Sequence, residues 1–92
     1  MKRIIPSNMF LRASKKLFKK DAKQKQELIE TLELLSRDTF NPILKTHKLK
    51  GELSDSWSCS LGYEFRILFK FIQYKGEEVI YLKTIGTHDE VY

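Results

Sequence analysis

Cysteine occurs once, proline twice and histidine twice in this 92-residue chain, and every hydrophobic stretch is soon cut by Lys, Glu or Ser. Each scarcity closes a route. The lone Cys59 cannot form an intramolecular disulfide, and two histidines do not supply a metal-ligand cluster of the usual spacing. Neither a metal nor a cofactor is therefore expected, and stability must come from packing. A bilayer-spanning helix needs about 20 consecutive apolar residues, and no such run is present. After Lys2 and Arg3 the apolar pair Ile4-Ile5 is stopped at once by Pro6 and Ser7, too soon for the apolar region of a signal peptide, so the expected compartment is the cytoplasm. No repeat, low-complexity segment or linker divides the sequence. A chain of this length leaves no room for a second core, and a hydrophobic fraction of 41% is enough for one, so residues 1–92 are expected to form a single domain.

Acidic residues are also in deficit. Lys and Arg total 17 against 12 Asp and Glu, a net charge of +5. Such a field attracts polyanions over a Debye length of about 8 Å, which makes nucleic acid or an acidic protein the natural partner. The excess is concentrated: Arg12, Lys15, Lys16, Lys19, Lys20, Lys23 and Lys25 are opposed in their stretch only by Asp21. Lysines in this pattern suit a salt-sensitive grip on a phosphate backbone rather than base readout.

Residues 2–5 read as a short strand ended by Pro6. Ser7 or Asn8 can cap a helix in which Phe10, Ala13 and Leu17 form one apolar stripe and Lys15, Lys16 and Lys19 point away. Asp21 can cap a second helix over residues 22–37, with Leu28, Leu32 and Leu35 as its stripe and Ile29 and Leu34 broadening it. Residues 43–51 carry no firm pattern. Trp57, Cys59 and Leu61 alternate with Ser56, Ser58 and Ser60, the period of a half-buried strand. After a turn at Gly62-Tyr63, Phe65, Ile67, Phe69 and Phe71 alternate with Glu64, Arg66, Leu68 and Lys70. A further turn at residues 74–77 leads to a third strand over residues 78–85, closed by Gly86, with a short polar tail beyond. The expected fold class is α+β, ordered β-α-α-β-β-β: an antiparallel-dominated sheet of about four strands with the helical hairpin packed on one face.

Few residues in this plan can do chemistry. Glu64 and Arg66, two apart on an expected strand, would share a face either as an ion pair or as a carboxylate and a guanidinium directed at a phosphate. His47 lies among Lys45, Lys48 and Lys50, whose cations are candidate RNA contacts along with Lys15, Lys16, Lys19, Lys20 and Lys23. His88 lies in the terminal segment Gly86-Thr87-His88-Asp89-Glu90-Val91-Tyr92, and the Tyr92 ring could stack on a base.

Taken together, His47-Lys48-Leu49-Lys50-Gly51, the serine-rich strand with Trp57, Tyr63-Glu64-Phe65-Arg66-Ile67-Leu68-Phe69 and the terminal Gly86-Thr87-His88 segment resemble the RelE superfamily of bacterial toxins, its YafQ branch above all. The resemblance implies a small basic toxin of a type II toxin-antitoxin pair that cleaves mRNA in the ribosomal 30S A site, without a cofactor, and is restrained by a cognate antitoxin. It implies His47, Glu64, His88 and Tyr92 as site residues. The family's aspartate is replaced by Glu64 and a further histidine by Ser60, while Arg66 coincides with an arginine that other RelE-like toxins place on the scissile phosphate. Cleavage through the RNA 2′-OH needs a base, an acid and a cation: Glu64 or His47, His88, and Arg66. A protein of this architecture that only binds, as a ParE-like gyrase inhibitor or a silent antitoxin-binding homologue, is the competing expectation.

Overall fold

The computed structural model describes all 92 residues. Its sheet has five strands in the order β1-β5-β4-β3-β2: β1 (Ile4–Pro6), β2 (His47–Lys48), β3 (Trp57–Leu61), β4 (Phe65–Tyr74) and β5 (Glu77–Thr87). All pairs are antiparallel except β1 with β5. Helices α1 (Asn8–Lys20) and α2 (Lys23–Arg37) form the N-terminal hairpin, and a short α3 (His88–Val91) follows β5 directly.

The α+β plan therefore stands, with one more strand than expected. The fifth strand is β2, inside the stretch that has no clear period, because two residues paired to Trp57 and Ser58 are too few to carry one. Strand β1 ends at Pro6, as expected, with the proline as its last paired residue. On an edge strand the missing N–H costs no ladder bond, which is where a sheet tolerates proline. Strand β5 also runs on through Gly86 to Thr87, and β4 begins only at Phe65, which leaves Glu64 in the preceding turn.

Ser7 starts α1 and fastens it to the sheet. Its Oγ accepts the Phe10 N–H at 3.0 Å and donates to the Lys83 carbonyl at 2.9 Å, while its own N–H reaches the Leu82 carbonyl. Asp21 serves both helices. Its N–H closes α1 on Leu17, and its carboxylate accepts the Lys23 N–H at 3.1 Å and the Gln24 amide at 3.2 Å. Lys75 and Gly76, both at positive φ, give the β4–β5 hairpin its two-residue turn, whose twist matches that of the strands it joins.

Phe10 from α1, Leu28 and Leu35 from α2, and Cys59, Leu61, Ile67, Phe69, Ile80, Leu82 and Ile85 from the sheet make one buried cluster with Leu44. The apolar alternation of β3 and β4 faces this cluster. Ile29, expected to widen the α2 stripe, stays 43% exposed. Burial raises the Cys59 thiol to about 12, so it remains protonated and unreactive. Ser56 and Ser58, read as hydroxyls on an open face, are fully buried. No helix is long and apolar enough to cross a membrane.

Leu35 is wholly buried where α2 meets the sheet. Leu35→Ala should cost about 2–5 kcal/mol, the usual range for truncating a buried leucine. Urea titration followed by far-ultraviolet circular dichroism measures it, and a loss below 1 kcal/mol would contradict this packing.

Candidate active site

The sheet face opposite the main cluster gathers the residues with chemical potential. Strand register decides this, because residues directly paired across an antiparallel ladder share a face. His47 pairs with Ser58 and Ser58 with Leu68; one step along β3, on the same face, Ser60 pairs with Arg66, which pairs with Gly86. The Ser58 hydroxyl is hydrogen-bonded to the Tyr92 hydroxyl, and the Tyr92 ring meets the His88 ring edge-on with centroids 4.5 Å apart. Strand pairing thus sets His47 opposite buried Ser58, whose hydroxyl contacts Tyr92 and through it His88, with Arg66 on the adjacent row.

Helix α3 makes this possible. Residues four apart share a helix face, so His88 and Tyr92 lie together. Thr87 and Glu90 form a capping box in which the Thr87 N–H donates to Glu90 Oε1 at 2.8 Å and the Glu90 N–H to Thr87 Oγ1 at 3.4 Å. That backbone N–H, more than the Thr87 hydroxyl or the nearby Lys20 and Lys16, holds the Glu90 carboxyl below its ordinary value. Gly86 lets the helix fold back so tightly. A Cβ there would come within 3.0 Å of Glu90 Oε1 and 3.2 Å of Val91 Cγ1.

The His47 ring is exposed, and its Nδ1 lies 2.9 Å from the Lys45 carbonyl. A carbonyl only accepts, so Nδ1 carries the proton and neutral His47 presents Nε2 as a free base. Lys45 holds this carbonyl in place from a left-handed conformation, φ 52°. Arg66 folds back on its own turn and donates from Nη1 to the Tyr63 and Phe65 carbonyls at 3.0 and 2.8 Å. Only one guanidinium nitrogen is occupied, and the side chain borders a cleft with Ser60 and Lys45.

Glu64 lies apart from these groups. It is exposed in the β3–β4 turn and lines a cleft between α1 and α3 with Lys16, Lys20, Thr87 and Glu90. Glu64 and Arg66 neither share a strand nor form an ion pair, because Glu64 precedes the first ladder residue and the guanidinium turns away to backbone carbonyls. The lysines divide as well. Lys15, Lys16, Lys19 and Lys20 lie on α1, which packs against β5, and Lys23 opens α2; Lys45, Lys48 and Lys50 lie on and around β2, the opposite edge strand. The two lysine groups, separate in the sequence, are separate patches in space as well. Trp57 packs against the core and meets Phe40 and Phe71 at centroid distances of 5.4 and 5.6 Å. No group of three or more His, Cys, Asp or Glu side chains is placed to hold a metal ion.

Two features lie outside the sequence reading above, one for want of any local signal and one despite a signal. Nothing local distinguishes Ser58 from Ser56 and Ser60. The α3 cap was legible, since Thr87-His88-Asp89-Glu90 has the spacing of a capping box.

The model of one protein family, described as the bacterial toxin of type II toxin-antitoxin systems, YafQ, matches residues 2–92. No curated protein matches the sequence. Among solved structures, YafQ from E. coli strain BL21(DE3) superposes with a TM-score of 0.79 at 18% identity, over 100% of this chain and 99% of that one. The E. coli DinJ-YafQ toxin-antitoxin complex gives 0.76 at 19%, over 99% and 97%. The YoeB dimer from Staphylococcus aureus gives 0.73 at 22%, over 95% and 97%. At such identities the structural likeness shows the fold.

Thr87→Ala removes the cap hydroxyl and should loosen α3 alone. Amide exchange at residues 88–92 should become about 5- to 30-fold faster, the factor that corresponds to about 1–2 kcal/mol of lost capping. The core amides should keep their protection. The depressed Glu90 carboxyl gives a matching pH dependence: its contribution to α3 is present above the ordinary carboxyl range and is lost as pH falls through the lowered value. Equal acceleration in the core and in α3 would contradict a local cap.

Proposed function

The chain belongs to the YafQ family of bacterial toxins of type II toxin-antitoxin systems, and from that membership we propose that it is a ribosome-dependent endoribonuclease, cutting mRNA in the 30S A site and so arresting translation. The observation that carries this reading is the His47–Ser58–Tyr92–His88 chain with Arg66 on the adjacent row. It offers a base, an acid and a cation on one exposed face.

In this mechanism His47 Nε2 accepts the proton of the 2′-OH while Nδ1–H stays on the Lys45 carbonyl, which fixes the tautomer that can act as a base. The 2′-oxygen forms a bond to phosphorus as the bond from phosphorus to the 5′-oxygen breaks. The free nitrogens of Arg66 stabilise the charge that gathers on the non-bridging oxygens. Protonated His88 delivers its proton to the departing 5′-oxygen, leaving a 2′,3′-cyclic phosphate. Tyr92, tied through its hydroxyl to buried Ser58, keeps the His88 ring in position and offers its own face to a base. No cofactor takes part. Glu64, in the cleft beside Lys16 and Lys20, is the less suitable base because it lies off this row.

The ribosome and mRNA are the partners of the reaction, which takes place in the cytoplasm. Lys15, Lys16, Lys19, Lys20 and Lys23 on one side, and Lys45, Lys48 and Lys50 on the other, would follow the RNA backbone. A cognate antitoxin with an acidic or amphipathic segment would cover the basic, partly apolar surface. The E. coli relative solved together with DinJ supports such a partner.

Primer extension on a reporter mRNA in a purified translation system, with and without ribosomes, tests the proposal. Wild-type protein should cut only with ribosomes present. His47→Ala and His88→Ala should each lose about 10²- to 10⁴-fold in rate, the ordinary contribution of a general base or acid, and Glu64→Gln should lose less. If Glu64→Gln shows that loss and His47→Ala does not, the base is Glu64. If no condition yields cuts while plasmid supercoiling changes, the protein is a gyrase inhibitor instead.

A further inference from the structure

On the same sheet face, at Asp55 and Ser56 just before β3, lies a second group of charges with no part in the chemistry above. Leu68 pairs with Thr84 and Phe69 with Leu82, so Lys83 is the extra residue of a β-bulge. Bulges redirect side chains, and this one brings the Lys83 ammonium to Ser56 Oγ at 2.6 Å and to within 3.7 Å of the Asp55 carboxylate. Lys70 approaches the other carboxylate oxygen at 4.0 Å and also lies 5.8 Å from the centre of the Tyr81 ring. The buried Ser56 hydroxyl donates to Asp55 at 3.1 Å.

We propose that Lys83 and Lys70 form a phosphate subsite for an RNA nucleotide flanking the one cut, with Asp55 as the counter-ion that the phosphate replaces. Two ammoniums share one carboxylate, which leaves a surplus positive charge. An ammonium has three donors, and within hydrogen-bonding distance Lys83 uses one, on Ser56. The Lys83 stem is largely buried, its side chain 29% exposed, so the charge is held in place at little further entropic cost, unlike the exposed lysines of α1. Asp55, 63% exposed at the rim, can swing into water when a stronger anion arrives. Arg66 stands opposite Ser60, four residues from Ser56, about 13 Å along an extended chain, comparable to two steps between neighbouring phosphates of a single strand. A backbone with its scissile phosphate at Arg66 and His88 could therefore extend over Lys83. This inference rests on the reading that RNA is the substrate.

The test is fluorescence anisotropy with a fully 2′-O-methylated single-stranded RNA, which binds without being cut, titrated against each variant over a range of salt concentrations. Each phosphate contact contributes about 0.7 to the logarithmic salt slope for a single strand. Lys83→Gln should lower the slope by about that amount, the double change with Lys70→Gln by about twice as much, and Lys83→Arg should restore it. Asp55→Asn should bind several-fold more tightly, a gain that misfolding cannot mimic. An unchanged slope in Lys83→Gln, no tightening in Asp55→Asn, or no binding by wild type at low salt would each overturn the subsite. If the binding changes are as expected but ribosome-dependent cuts are absent, it is the nuclease reading that fails and the subsite that stands.

Discussion

The antiparallel pairing of β4 with β5, from Phe65 opposite Thr87 to Tyr74 opposite Glu77, is the constraint on which the other elements depend. Its inner face supplies Ile67, Phe69, Ile80, Leu82 and Ile85 to the core. Its outer edges receive β3 on one side and β1 on the other. Ser7 attaches α1 to the Leu82 and Lys83 carbonyls of the same strand, so the hairpin of helices is referenced to β5 as well. A one-residue slip in this ladder would exchange the apolar and polar faces of both strands, and the burial of the phenylalanine side makes such a slip costly.

The proposed site is built where that ladder ends. Strand β5 passes without a linker into α3, and the capping box at Thr87 and Glu90 stops a four-residue helix from unravelling. Such a helix is far too short to be stable alone. Its orientation comes from three contacts of different kinds: the cap, the close approach over Gly86, and the Tyr92 hydroxyl on Ser58. Positioning of this sort matters for acid–base chemistry, in which small displacements of a proton donor are expensive. His47 is positioned separately, by a carbonyl that fixes its tautomer. Two histidines 41 positions apart in sequence are thus brought to one face, His47 by its register opposite Ser58 and His88 by the Tyr92 bond to the same serine.

Electrostatics reinforces the division between the two faces. The face opposite the core carries Arg66, Lys70 and Lys83 in graded exposure, and Asp55 is held ionised below the ordinary carboxyl range by the Ser56 hydroxyl first and by Lys83 and Lys70 next. The α1 lysines and those near β2 lie to either side. A polyanion crossing this face would find cations along its path and one carboxylate, Asp55, among them, with Glu64 set in the side cleft beside Lys16 and Lys20. In the proposed function such an arrangement would guide a backbone across the surface while leaving sequence selection to other contacts.

By itself, the sequence determined the α+β class, the helical hairpin, the core faces of β3 and β4 and the short set of candidate residues. These follow from periodicity, capping chemistry and composition, all of which act over a few neighbouring residues. It also carried the family resemblance, through residues 47–51 and the terminal Gly-Thr-His segment. What lay beyond its reach was the pairing of distant parts: β2 as a two-residue strand, Glu64 left outside β4, Ser58 chosen over its neighbouring serines, and Lys83 brought to Asp55 by a bulge. Each of these depends on register and on which face a side chain occupies. Only packing against the rest of the fold decides them, because a local sequence pattern contains no information about which residue will stand across the sheet.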